Sequence, residues 1–117
     1  MTNNLELVRL LARHGADLNF RRGENNLTML HMAGRADLPA IVVWLLEKGF
    51  DVDIRDNYNR TALHHCAMRG VEVCSCYLMS NGADINAKDL NGNTPLHLTI
   101  VYASDEDTID MFKKLLL

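Results

Sequence analysis

Short apolar stretches and polar segments alternate along this chain on a fixed beat. Three of the apolar stretches open on threonine and carry histidine at the same place: Thr28-Met29-Leu30-His31-Met32-Ala33, Thr61-Ala62-Leu63-His64-His65-Cys66 and Thr94-Pro95-Leu96-His97-Leu98-Thr99, each 33 residues after the last. A second apolar stretch that closes on glycine keeps step with them, in Leu10-Leu11-Ala12-Arg13-His14-Gly15, Leu45-Leu46-Glu47-Lys48-Gly49 and Leu78-Met79-Ser80-Asn81-Gly82. Two phrases sharing one period predict a tandem array. No unit of such an array buries its apolar face alone, so the core runs lengthwise through neighbouring units.

The local chemistry turns these stretches into helices. Each threonine can accept a hydrogen bond from an orphan N–H of the first turn, which starts a first helix at Thr28, Thr61 and Thr94. Pro95 takes the first helical position in the third unit, where a missing N–H costs nothing, and Met29 and Ala62 take it in the others. A second helix is predicted over Pro39 to Lys48 and over Val71 to Asn81, with leucines at core spacing. Gly15, Gly49 and Gly82 end the second helices by accepting a left-handed backbone. The polar segments after them, such as Arg55-Asp56-Asn57-Tyr58-Asn59-Arg60, are rich in turn formers.

A 33-residue repeat with Thr-Pro-Leu-His in one half and Gly-Ala-Asp-Val-Asn in the other resembles the ankyrin repeat. The resemblance covers nearly the whole chain and implies an all-α repeat solenoid. Helix-turn-helix pairs would be joined by β-hairpin-like fingers, in a right-handed and gently curved array. The expected division is a partial repeat over 1–20, repeats over 21–53 and 54–86, and a last repeat over 87–117. Half a repeat at the start would supply a second helix over about residues 5–14, and the last second helix would span about residues 106–117. The resemblance gives Thr28, His31, Thr61, His64, Thr94, His97, Gly15, Gly49 and Gly82 structural roles. Each histidine is expected to hydrogen-bond the threonine three residues earlier and backbone across the repeat junction.

Departures from the pattern carry information. From Gly15 to Thr28 the chain advances 13 residues where the other two glycine-to-threonine segments advance 12, so the finger over 20–26 is expected to be the most irregular. The third unit holds roughly five extra residues around Tyr102 to Asp107, which predicts a longer loop between its helices. Where the family favours glycine after the first helix the chain has Asp37, Gly70 and Ala103, so only the middle unit matches. The chain begins inside a repeat and stops at Leu115-Leu116-Leu117 without a closing glycine, which suggests an excerpt of a longer protein.

Composition narrows the function. A net charge of -3 and a pI near 5.9 provide no basic footprint for phosphate backbones, so nucleic acid is not an expected partner. No run reaches the ~18 apolar residues of a membrane span, and Met1-Thr2-Asn3-Asn4 does not open a signal peptide. Three scattered cysteines do not form a disulfide framework, which points to the cytoplasm or nucleus.

The recurring histidines invite a metal reading that geometry opposes. Equivalent positions in stacked units lie ~8 to 10 Å apart, while zinc needs every ligand within ~2.1 Å. Cys66 falls on a small buried position, Cys74 on the core and Cys76 on a more exposed face, and Cys-x-Cys does not converge on one ion. No phosphate loop, nucleophile elbow or His-Glu-x-x-His occurs, and Asp17, Asp51 and Asp84 recur at one turn position. The reading is a chain without catalysis, cofactor, metal or small-molecule substrate. Ser104-Asp105-Glu106-Asp107 reads as a capping box and also as an acidic-directed kinase site. Asn19 and Asn86, with Leu11 and Leu78 eight residues before them, resemble ankyrin asparagines that are hydroxylated, although a plain turn role is the stronger reading. Trp44, beside Leu45 and Leu46, reads as core.

Positions that vary between repeats are free to specify a partner. Carried over by register from the family's groove, they are Phe20, Arg21 and Arg22 in the first finger, Asn57, Tyr58 and Arg60 in the second, and Leu90, Asn91 and Asn93 in the third. Arg35, Met68, Arg69, Val101 and Tyr102 would join them from the first helices. Aromatic residues, methionine and arginine are enriched in interface cores, so the expected function is binding of a protein partner. Two other readings compete. One is a regulatory or targeting segment of a larger enzyme, channel or acyltransferase, and the other is a short inhibitor that mimics a partner.

Overall fold

The computed structural model describes residues 20–102. Gly15, Asn19 and Ser104, the helices expected near both ends, and the expected long loop beyond Tyr102 lie outside the described residues. Among the described residues five helices run in the order α1 (Met29–Arg35), α2 (Pro39–Glu47), α3 (Ala62–Arg69), α4 (Glu72–Ser80) and α5 (Pro95–Tyr102). Helices of 7 to 9 residues are too short to persist alone in water, so stacking must hold them. First helices pack on first helices, α1 on α3 and α3 on α5, while α2 packs on α4. The result is the all-α repeat solenoid, two helical layers deep.

The starts of α1 and α3 share one device. Thr28 Oγ1 accepts from the His31 N–H and Thr61 Oγ1 from the His64 N–H, while each histidine ring accepts the N–H of its threonine at 3.1 and 3.0 Å. This is a capping box in which histidine takes the place usually held by Glu or Gln. The second helices end as their glycines predict. Gly49 and Gly82 have φ of 94° and 87°, and in each case two N–H groups reach back, Gly49 to Leu46 and Phe50 to Leu45, Gly82 to Met79 and Ala83 to Leu78. Those paired bonds satisfy carbonyls that the last helical turn leaves open.

Asp37 departs from what its side chain suggests. It stands where Gly70 stands one repeat later and adopts the same left-handed backbone, with φ of 57° against 66°. Its N–H bonds the Gly34 carbonyl and the N–H of Leu38 bonds Ala33, so α1 closes like α3 without the glycine. Aspartate tolerates this region better than most residues.

The core is the expected lengthwise one, with Leu30, Val42, Leu45, Leu63, Cys66, Cys74, Leu78 and Leu98 essentially inaccessible and Trp44 packed among them. Lys48 covers the outer face of the Trp44 ring at 5.6 Å. Gly34 sets the distance between α1 and α3, because a Cβ there would lie 3.1 Å from Cys66 Sγ. Cys66 and Cys74 are buried and Cys76 is half-buried. Burial pushes the Cys66 thiol up and that of Cys74 up to about 12, so neither is a thiolate at neutral pH.

Candidate protein-binding surface

Between the helices the fingers stack through their own backbones. Arg22 and Leu27 exchange both N–H···O bonds as an antiparallel bridge, at 2.8 and 2.9 Å. The finger expected to be the most irregular is therefore the one closed by a two-way pair among the described residues. Its extra residue is absorbed at the tip, where Gly23 takes a positive φ that the other fingers lack, while Asn26 shares its positive φ with Asn59 and Gly92. The other two fingers close differently. Asp56 Oδ1 accepts from the N–H groups of Tyr58 and Arg60, and Asp89 Oδ1 from those of Asn91 and Asn93, all at 2.9 Å. Arg22 occupies that aspartate position in the first finger and cannot act as acceptor.

The histidines join one repeat to the next. His31 Nε2 donates to the carbonyls of Ile54 and Arg60 at 2.8 and 3.0 Å, and His64 Nε2 donates to Asn93 at 2.9 Å. These rings accept on Nδ1 and donate on Nε2, as a neutral imidazole does. Burial lowers the pKa of both. His97 makes the same bonds to Thr94, with its hydroxyl at 2.9 Å.

The sequence reading weighed His65 only as a possible ligand beside the cysteines and did not foresee its pairing with Asp56. Met32 and Leu98 are its counterparts in the other units, yet His65 is buried, 2.8 Å from Asp56 Oδ2 and edge-on to His31. Burial brings its pKa down to about 4 despite the carboxylate, so at neutral pH the pair is a hydrogen bond from a neutral ring to a carboxylate. Burial works to raise Asp56, but the Arg60 N–H and the His65 ring hold it below its usual value. The other ring atom of His65, Nδ1, is buried without a hydrogen-bond partner. The signal that could have found this pair is a polar residue at a position apolar in both neighbours.

The structure divides the expected partner-binding residues into two groups. Arg21 reaches the carbonyls of Asn26 at 3.2 Å and Arg55 at 2.9 Å, and one repeat on Arg55 reaches those of Asn59 at 2.8 Å and Lys88 at 3.0 Å. Asn57 donates to the Glu24 carbonyl, the N–H of Leu90 to the Tyr58 carbonyl, and Arg60 pairs with Asp89 at 3.3 Å while lying over the Tyr58 ring. Burial would raise Asp89, yet the Asn93 N–H and Arg60 hold its pKa low. Arg21, Asn57 and Arg60 are thus committed to stacking the fingers.

The second group faces solvent. Phe20, Tyr58, Leu90, Val101 and Tyr102 are exposed large side chains, Asn91 is exposed, and Met68 and Asn93 are half-buried. Arg22, Arg35 and Arg69 are exposed and come together around one hollow of about 590 Å³ between the first finger and the last turns of α1 and α3. Asn86 is also exposed, and its N–H bonds the Asp84 carboxylate at 2.9 Å, which holds the turn.

A family model describing ankyrin repeats, in three copies, matches residues 1–56 and 40–116. The chain belongs to the ankyrin repeat family. Curated proteins similar to this ankyrin chain include two palmitoyltransferases named AKR1. That of Lachancea kluyveri is 43% identical over 56 residues, 48% of this chain and 8% of that protein. That of Kluyveromyces lactis is 42% identical over 57 residues, 49% of this chain and 8% of that protein. A putative ankyrin repeat protein of Fowlpox virus, FPV219, is 43% identical over 61 residues, 52% of this chain and 14% of that protein. The matched stretches span a small part of each relative's length. Among the described residues no helix is long and apolar enough to cross a membrane.

Proposed function

We propose that this ankyrin domain is a protein-binding module that recognises its partner by direct contact, without turnover. The observation that carries this reading is the division of labour among the side chains. The recurring threonines, histidines and turn aspartates are used up in caps and repeat junctions, while Arg22, Arg35 and Arg69 line a hollow and Phe20, Tyr58 and Leu90 stand exposed. Large exposed aromatics and arginines of this kind dominate the energetics of protein interfaces. The buried neutral cysteines fit a cytoplasmic or nuclear setting, and Asn86 stays a candidate acceptor for hydroxylation.

The test is capture from lysate with the wild-type chain and with a Phe20→Ala, Tyr58→Ala, Arg69→Ala, Leu90→Ala variant of equal helicity by circular dichroism. Proteins retained by the first and lost by the second support the surface. Equal capture overturns it.

The two palmitoyltransferase matches favour a second reading, in which the repeats serve a larger enzyme by holding its protein substrate or regulator. An open reading frame carrying an acyltransferase domain in the same polypeptide supports it.

A further inference from the structure

We propose that the hollow between the first finger and the ends of α1 and α3 receives an acidic peptide segment of the partner protein. The proposal rests on the protein-binding reading and names the chemistry of what that surface selects. Arg22 comes from the finger, Arg35 from the last turn of α1 and Arg69 from the last turn of α3, so three structural elements deliver guanidinium groups to one concavity. None of the three is engaged by a carboxylate or a carbonyl of the described residues. Arg21 and Arg55, by contrast, each hold two carbonyls.

The chain as a whole is acidic, at -3, which makes a cluster of three arginines in a concave site a local reversal of sign. Concave walls focus such a field, and each guanidinium offers a fork of donors that matches a carboxylate. Arg35 and Arg69 also sit where a helix C-terminus welcomes positive charge, but Arg22 has no such role. Glu24 is the opposing charge on the rim. Met32 and Leu27 add apolar lining, so the complementary ligand is a peptide with carboxylates around a small apolar group.

The experiment is selection of random dodecapeptides by phage display on the wild-type chain, followed by fluorescence anisotropy with a synthetic peptide of the selected sequence. Three variants accompany it: Arg22→Gln/Arg35→Gln/Arg69→Gln, the same three positions changed to Lys, and Lys48→Gln/Lys88→Gln as a control for net charge. The expected result is enrichment of Asp and Glu, with affinity falling about tenfold in the Gln variant and less in the Lys variant. The control should bind as wild type does, and added salt should weaken binding. The Lys variant preserves the charge at both helix ends, so its retained affinity separates recognition from folding.

Acidic peptides that bind the Gln variant equally well overturn the proposal. Selected peptides that are not acidic but are lost on Tyr58→Ala/Leu90→Ala overturn it too, and leave the protein-binding surface standing. Peptides insensitive to every one of these substitutions, or no enrichment at all, overturn both. An oligothymidylate bound through the same three arginines as tightly as the peptide overturns the assignment to a peptide.

Discussion

Arg21 and Arg22 are neighbours in sequence and opposites in use. Arg21 turns along the stack and holds the carbonyl of Arg55 in the next finger, while Arg22 stays exposed at the lip of a hollow. The same contrast separates Arg55, bonded to Lys88, from Arg35 and Arg69. Five arginines therefore divide between a junction that holds repeats together and a hollow that adds nothing visible to the stack. In a repeat protein the distinction cannot be made by residue type. It depends on whether a side chain finds a backbone partner one repeat away.

The largest effect is expected at a fully buried member of the junction. His64 is fully buried, and removing its ring in His64→Ala orphans the Thr61 N–H, takes one of two donors from the Asn93 carbonyl, which keeps the Asp89 N–H, and opens space. A loss of about 4 kcal/mol is expected in urea denaturation. Peptide binding to whatever remains folded should be unchanged.

Acid should strike the junction and spare the hollow. His31, His64 and His65 have folded-state pKa values below the unfolded 6.5, His65 at about 4. The unfolded chain thus binds protons that the folded chain refuses. Stability is full above pH 6.5 and is lost as pH falls through that window, His65 alone accounting for about 3 kcal/mol by pH 4. Asp56 adds a further loss below its usual carboxylate range, because its folded pKa is depressed. Thermal unfolding followed from pH 8 to pH 4 checks this, and His65→Met should flatten part of the slope.

Smaller effects sharpen the contrast. Arg55→Ala should cost about 1 kcal/mol in chemical denaturation through two lost bonds to carbonyls, against about 0.5 kcal/mol or less for Arg35→Ala. Asp37→Gly should raise stability by about 0.5 kcal/mol, because the left-handed backbone is already in place. An unchanged or lower melting temperature would show that the Asp37 carboxylate, 3.6 Å from Cys74 Sγ, contributes more than its backbone strain removes.

What repeats was legible in the sequence and what bridges repeats was not. Threonine, histidine and the helix-ending glycines recur because every unit must satisfy the same orphan backbone groups, and the register alone located all five described helices. Asp37 escaped because the reading looked for glycine and a left-handed backbone does not announce itself in aspartate. Arg21 was read as groove because the extra residue in its finger sets it 34 residues from Arg55, out of the 33-residue register. Arg60 was read the same way, since its partner Asp89 lies in another finger and no local pattern links them. The hollow could not be drawn at all from the sequence, although Arg22, Arg35 and Arg69 were all among the residues expected to bind.

The most direct measurement is a paired one on Arg21→Gln and Arg22→Gln, reading urea stability and affinity for the selected acidic peptide on the same samples. The expected result is a crossing: Arg21→Gln loses stability and keeps its affinity per folded molecule, and Arg22→Gln keeps stability and loses affinity. Both properties falling together in either variant, or the reverse crossing, would contradict the division between junction and hollow.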